Sequence, residues 1–304
     1  MGTTVRDTIK EITRKHLTEG KGKCYGQCLT AVGWVGGTLP ELYEEDGMVE
    51  LSMADVAGGS IVTGVALAGE RPIYVVRYQG FQWYNAVSVV NYAAKSKEIW
   101  NRPCPILVRS IAMEGGVGPV AGSSHHSLVS RMPGINVIAP MTPKEYQYAY
   151  DCYMSEDEPY YISEHRKSYD NTEELESIIH EEEVDFTIFP VSITRLEMAK
   201  LVELAGRENI KLNIIHQVWI RPFEISPLWA QVLNRSRHGG LVTDDDYVEG
   251  VASSMANELS LVTTKRVHTL GLEPRTAGFY PSVDNLPPSA EKILEKLKQI
   301  KNGI

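Results

Sequence analysis

Apolar residues at Val5, Ile9, Ile12 and Leu17, with Arg6, Asp7, Lys10 and Glu11 between them, recur at helical spacing and predict an amphipathic helix over 5–20. An apolar run predicts a short strand over 23–30, followed by a glycine-rich loop over 33–38 and a short helix over 39–45. Residues 50–72 read differently. Asp55 heads a run of small and apolar residues that includes Ala57, Gly58, Gly59, Ser60, Gly64, Ala66 and Ala68. Gly69 has the position of a helix C-terminal cap, and Pro72 opens an extended segment over 73–78. Each glycine costs a helix about 1 kcal/mol against alanine. A helix this stripped of bulk is expected to pack closely on another helix or a ligand, with Asp55 either its N-cap or an acid facing that contact.

The pattern continues as a helix over 81–100, with Phe81, Tyr84, Val87, Asn91 and Ala94 on one side, and a strand over 104–110. A long glycine- and serine-rich loop spans 115–127, followed by a strand over 136–140, a helix over 143–155 and a strand over 159–164. Acidic and polar residues over 168–184 read as a solvated linker. A second alternating unit follows, with strands over 185–191, 210–220, 240–243 and 266–272 and helices over 194–209, 226–235, 248–261 and 289–300. Strands alternating with helices at this spacing predict an α/β fold of two doubly wound domains, over 1–167 and 185–304, joined by the linker 168–184.

Composition narrows the function classes. The 304 residues include no apolar run of transmembrane length, and the polar, charged N-terminal stretch is not that of a signal peptide, so a cytoplasmic protein is expected. Cys24, Cys28, Cys104 and Cys152 lack metal-ligand spacing and read as reduced thiols, and no metal ligands are assigned to this chain. A net charge of -9 argues against nucleic acid, whose recognition needs basic stripes, and nothing points to a membrane surface.

In doubly wound sheets, ligands bind beyond the carboxyl ends of the strands. The loops expected there carry Gln27, Asp55, Phe81, Trp83, His125 and His126: an acid, an aromatic platform and adjacent histidines. Such a set suits a planar heterocycle, with a ring stacked on Phe81 or Trp83, an acid on a ring nitrogen and a histidine handling protons. Each residue also has a plainer role, as cap, core or solvated loop. The sequence has no Gly-x-Gly-x-x-Gly or Gly-x-x-x-x-Gly-Lys-Ser/Thr phosphate loop and no Gly-x-Ser-x-Gly elbow.

These residues resemble a known pattern. Ala54-Asp55, Ser60-Ile61, Gly64 and Ala68-Gly69-Glu70-Arg71-Pro72 are similar to the stretch around the activating acid of the thiamine diphosphate enzymes of the transketolase and 2-oxo acid dehydrogenase family. Phe81 falls on that family's ring-stacking aromatic, followed by Asn91-Tyr92-Ala93-Ala94-Lys95. Residues 115–118 with Ser124-His125-His126-Ser127 resemble its active-site histidine loop, and residues 132–140 the strand that follows. Trp219-Ile220-Arg221-Pro222-Phe223 and Val242-Thr243-Asp244-Asp245 echo its C-terminal transketolase domain.

The resemblance is to the separate beta subunit of the dehydrogenase first component, a pyrimidine-binding domain followed by a transketolase C-terminal-like domain. It implies thiamine diphosphate as cofactor and cleavage of a small-molecule 2-oxo acid or ketose, with transfer of the acyl or two-carbon unit to an acceptor. Asp55 would activate the cofactor, Phe81 stack on it and His125 or His126 shuttle protons, with Gln27 and Trp83 beside it. The family's Gly-Asp-Gly…Asn motif for diphosphate and Mg2+ is absent here. An alpha-type partner is therefore expected to hold most of the Mg2+ site, in an α2β2 assembly. The chain departs from the family pattern where Asp55 replaces Glu, where Gly26-Gln27-Cys28 replaces Gly-Glu-Asp and where Val87-Ser88 replaces Asp-Gln. The segment before Pro133 is also short. A partner subunit that keeps the fold without activating the cofactor is the alternative expectation.

Overall fold

The computed structural model describes residues 2–31, 33–114, 122–276 and 280–303; the expected 115–118 run lies outside them. The chain forms two compact units, the first running to Glu174 and the second from Leu175. In the first, strands β1 (Cys24–Gly26), β2 (Met48–Glu50), β3 (Ile73–Val76), β4 (Leu107–Ala112), β5 (Asn136–Ile138) and β6 (Tyr160–His165) lie in the order β2-β1-β3-β4-β6-β5, every pair parallel. Every residue of β1, β3, β4 and β6 is buried. A parallel sheet covered on both faces demands such runs.

The helices with the clearest pattern form as expected. Val5–Thr18 is capped by Thr4, which accepts from the Asp7 N–H, and it buries Val5, Ile9, Ile12 and Leu17. Pro143–Ser155 begins with Thr142 accepting from the Glu145 N–H, while the Glu145 carboxylate accepts from the Met141 N–H at 2.8 Å.

Other expectations are corrected. No helix covers 39–45: Pro40 interrupts a stretch too short to nucleate one, leaving a single 3-10 turn, Glu44–Asp46. The expected helix over 81–100 is broken into a 3-10 turn (Gln79–Phe81), an α turn (Gln82–Asn85), a π turn (Val89–Ala93) and a helix (Ala94–Trp100). Its buried face is also a different one. Gln82, Asn85, Ser88, Val89, Ala93 and Ser96 are buried, whereas Trp83, Tyr84 and Tyr92 are exposed. Tertiary hydrogen bonds to the polar residues override the apolar period.

The small-residue helix, Asp55–Leu67, buries Gly58, Gly59, Val62, Thr63 and Ala66 within its own unit. A Cβ at Gly59 would sit 2.1 Å from the Asn85 carbonyl oxygen, so the missing side chain is what lets this helix meet the Gln82–Asn85 turn. The Ser60 and Ser88 hydroxyls meet at 2.7 Å in the same crossing. Ser168 and Tyr169, read by composition as linker, are buried in the first unit.

In the second unit, β7 (Phe186–Pro190), β8 (Leu212–Ile214), β10 (Gly240–Tyr247) and β11 (Val267–Leu272) form a parallel sheet in the order β11-β10-β7-β8, to which the short β9 (Trp219–Arg221) does not belong. The expected strand over 210–220 is thus two pieces. The one over 240–243 runs on through Asp244, Asp245 and Asp246, all buried. Helices Met198–Arg207 and Ala290–Lys301 bury Leu201, Ala205, Ile293 and Leu297 in one core with Phe186, Ile188, Ile214 and Leu241.

Candidate active site

Strand order places a switch point in the first unit between β1 and β3, where successive crossovers leave in opposite directions and ligands characteristically bind. Gln27 follows β1, Asp55 follows β2, and Gln79 and Phe81 follow β3, so all four stand at one edge of the sheet. The loop after β1 is tied down by Glu50 at the end of β2. Its carboxylate accepts from the Leu29 N–H at 3.1 Å, the Thr30 N–H at 2.7 Å and the Thr30 hydroxyl at 2.9 Å.

Asp55 is not the cap of its helix. Ala54 occupies the cap position without a side-chain bond, and Asp55 is the first helical residue. Its Oδ1 instead accepts from Gln27 Nε2 at 2.7 Å, across 28 positions of sequence. Its Oδ2 makes no hydrogen bond among the described residues. The structure thus brings together Gln27 and Asp55, which pattern alone could only place on neighbouring loops.

Behind them lies a group that sequence reasoning missed. Tyr74, fully buried in β3, donates its hydroxyl to Asn85 Oδ1, and Asn85 Nδ2 donates to the Phe81 carbonyl at 3.0 Å. Burial and the nearby Asp55 carboxylate hold the Tyr74 hydroxyl well above its usual range, so it stays a donor. Phe81 is half-buried, with its ring centroid 5.9 Å from that of Tyr78. Trp83 is 56% exposed.

The two histidines differ. His126 is fully buried and its Nδ1 lies 3.0 Å from Ser163 Oγ; His125 is half-buried and is held by its backbone. The His125 N–H donates to Gln79 Oε1 at 2.6 Å, and its carbonyl accepts from Gln82 Nε2 at 2.7 Å. Gln82 Oε1 accepts in turn from the Tyr161 hydroxyl. Gln79, Gln82, Tyr161 and Ser163 also escaped the sequence reading. The available signal was the pair of glutamines flanking Phe81 in an otherwise apolar, aromatic stretch.

Arg109 forms a buried, two-pronged ion pair with Glu164, with N–O distances of 2.9 and 2.8 Å, and so serves the core. Arg77 lies over the Tyr78 ring. Burial pushes the Cys24 thiol up to about 12 and the Cys104 thiol to about 11, which leaves both as inert hydrophobes.

The chain is similar to known proteins in sequence and fold. The family model described as transketolase, pyrimidine binding domain matches residues 22–172. The pyruvate dehydrogenase E1 component subunit beta of Bacillus subtilis (strain 168) is 23% identical over 239 residues, covering 73% of this chain and 72% of that protein. The 2-oxoisovalerate dehydrogenase subunit beta of the same organism is 27% identical over 140 residues, covering 43% of this chain and 41% of its own length. Among solved structures, a split-gene transketolase described as an inactive beta4 tetramer superposes with a TM-score of 0.76 at 12% identity, over 99% of this chain and 98% of that one. Transketolase from Campylobacter jejuni subsp. jejuni NCTC 11168 gives a TM-score of 0.74 at 14% identity, over 98% of this chain and 47% of that one. At those identities the superpositions speak for the fold. It is the pyrimidine-binding match, with the beta-subunit relatives, that identifies the chain as a beta-type member of the thiamine diphosphate-dependent transketolase and 2-oxo acid dehydrogenase family.

Proposed function

We propose that this chain is the beta subunit of a two-component thiamine diphosphate enzyme. The enzyme would cleave a 2-oxo acid or ketose and transfer the acyl or two-carbon unit to an acceptor. The observation that carries the reading is the Gln27–Asp55 pair at the switch point, with one carboxylate oxygen pinned and the other open to a ligand. The residues fit the pyrimidine half of the cofactor. Asp55 Oδ2 would accept from or share a proton with the ring nitrogen, and the half-buried Phe81 would stack on the ring. Thiamine diphosphate, when bound, supplies the carbanion-stabilising centre at which a bond next to a carbonyl breaks.

In this reading Gln27 compensates in part for the shorter acid. By holding Oδ1 it fixes the carboxylate in one orientation, which matters because a misplacement of about 1 Å can cost on the order of a hundredfold in rate. His126 would act on the substrate's developing charge, and His125 would keep its neighbour in place through the glutamine clamps. Trp83 would face the cofactor or the partner. An alpha-type partner in an α2β2 assembly would hold the diphosphate and Mg2+ through hard oxygen ligands. Support for a partner comes from the exposed Val56, Ile61, Trp83, Tyr84 and Tyr92 on the helices flanking the site. The relatives named as beta subunits add to it, and so does the split-gene transketolase described as an inactive beta4 tetramer.

The test is co-expression with an alpha-type partner, then calorimetry with thiamine diphosphate and Mg2+ and a turnover assay on 2-oxo acids and ketoses. The complex should bind the cofactor, and Asp55→Ala should lower turnover on the order of a hundredfold. Cofactor binding with unchanged turnover in Asp55→Ala would remove Asp55 from its role. No binding at all would leave a fold-only partner subunit.

A further inference from the structure

The segment over 26–30 is laced to the segment over 50–55. The Gly26 carbonyl accepts from the Leu51 N–H at 2.8 Å, which extends the parallel β1–β2 ladder by one rung. Gln27 Nε2 then reaches Asp55 Oδ1 at 2.7 Å. Beyond it the Glu50 carboxylate takes the Leu29 N–H on Oε2, and the Thr30 N–H and hydroxyl on Oε1.

Between these ties the chain reverses. Cys28 has φ +54, in the left-handed region that a residue with a Cβ adopts when its surroundings hold it there. Leu29, fully buried, folds back so far that a Cβ on Gly26 would lie 2.6 Å from its Cδ2. Apolar packing of this kind holds the reversal inward but gives it no direction. The N–H groups of Leu29 and Thr30 do, because both must point at one carboxylate. Glu50 itself is exposed, and its three bonds to the loop are what orient it. Bonds to an ionised acceptor are stronger than neutral ones. Gln27 thus leaves a chain that is fixed on one side by the ladder at Gly26 and on the other by Glu50.

We propose that Glu50 is a positioning residue: by holding the reversal at Cys28 it aims Gln27 at Asp55, which keeps Oδ1 occupied and leaves Oδ2 for a ligand. The aim rests on contacts within this chain, and its use in cofactor binding rests on the thiamine diphosphate reading. Glutamine cannot take the place of Glu50. A carboxylate only accepts, whereas an amide of the same shape sets a donor against one of the loop N–H groups.

The test on the full chain is proton–nitrogen NMR of the Gln27 side-chain amide, assigned by Gln27→Ala, with solvent exchange measured at each proton. In the parent chain the Nε2 proton that faces Asp55 should exchange slowly. In Glu50→Gln its exchange should speed up about tenfold, together with that of the Leu29 and Thr30 amides. Faster exchange at Leu29 and Thr30 with an unchanged Gln27 signal would overturn the proposal. Thr30→Val, which removes the hydroxyl bond and keeps the N–H bonds, should move the Gln27 signal the same way by less; a larger effect than that of Glu50→Gln counts against it. In the complex with the alpha-type partner, Glu50→Gln and Gln27→Ala should each raise the Kd for thiamine diphosphate, with Mg2+ present, about tenfold, and the double variant no further. A loss of about a hundredfold in the double variant, the product of the two, would mean that Glu50 acts by another route and would also overturn it. A Gln27 signal that answers to Glu50 in a complex that binds no thiamine diphosphate would leave the aim standing and remove the cofactor reading.

Discussion

Two glycines of the Asp55–Leu67 helix should respond to the same substitution with opposite signs. At Gly59 an added methyl carbon would lie 2.1 Å from the Asn85 carbonyl oxygen and 3.1 Å from its carbonyl carbon, both backbone atoms. The helix must then move off the Gln82–Asn85 turn. Overpacking of this kind costs about 1–3 kcal/mol, more than the roughly 1 kcal/mol that alanine gains in helix propensity. At Gly64 an added methyl carbon meets nothing within 4 Å, and the propensity gain stands alone. Gly59→Ala should therefore lower the urea midpoint of the isolated chain, and Gly64→Ala should raise it by up to about 1 kcal/mol of stability. Because Gly59 lies one turn from Asp55, the first variant should also loosen the Gln27–Asp55 contact and weaken cofactor binding in the complex. Equal shifts of the same sign would refute the assignment of the buried face. A destabilised Gly64→Ala would do so even on its own.

Glu164→Gln should destabilise by about 3–5 kcal/mol, because it leaves Arg109 charged in a site where its side chain is 3% exposed; thermal unfolding that matches the parent chain would contradict this. Stability should also fall with pH below about 6.5. His16 is held below its ordinary range by burial, and His216 is lowered to about 3 by burial and the Arg195 guanidinium, whose Nε lies 3.4 Å from its Nδ1. As pH drops through 6.5 the unfolded chain takes up protons on these rings that the folded chain refuses. Each histidine then removes up to about 1.4 kcal/mol per pH unit, for His216 down toward its lowered value. Denaturant titrations at pH 7 and 5.5, where carboxylates stay ionised, should show the loss, and His216→Asn should reduce it.

Legibility in the sequence followed the range of the interaction. Thr142, Pro143 and Glu145 announce their helix within four residues, and Val5, Ile9, Ile12 and Leu17 mark a buried face by local period. The stretch after β3 misled for the opposite reason. Gln82, Asn85 and Ser88 look like the solvent side of an amphipathic helix, yet each is buried with a partner on another element, and the aromatic Trp83, Tyr84 and Tyr92 are left outside.

The same division holds for the site. The parallel α/β architecture and the position of Asp55 at the head of a small-residue helix were legible in the amino-acid order, because strand and helix periods and the Gly69–Pro72 stop are local properties of the chain. That Asp55 bonds to Gln27 instead of capping its helix, that Gly59 is a crossing point, and that Gln79 holds both the His125 N–H and Ser163 Oγ are facts of the folded chain alone. Those facts depend on which strands become neighbours. Hydrogen bonds and backbone contacts between residues far apart in sequence leave no periodic trace in the order of amino acids.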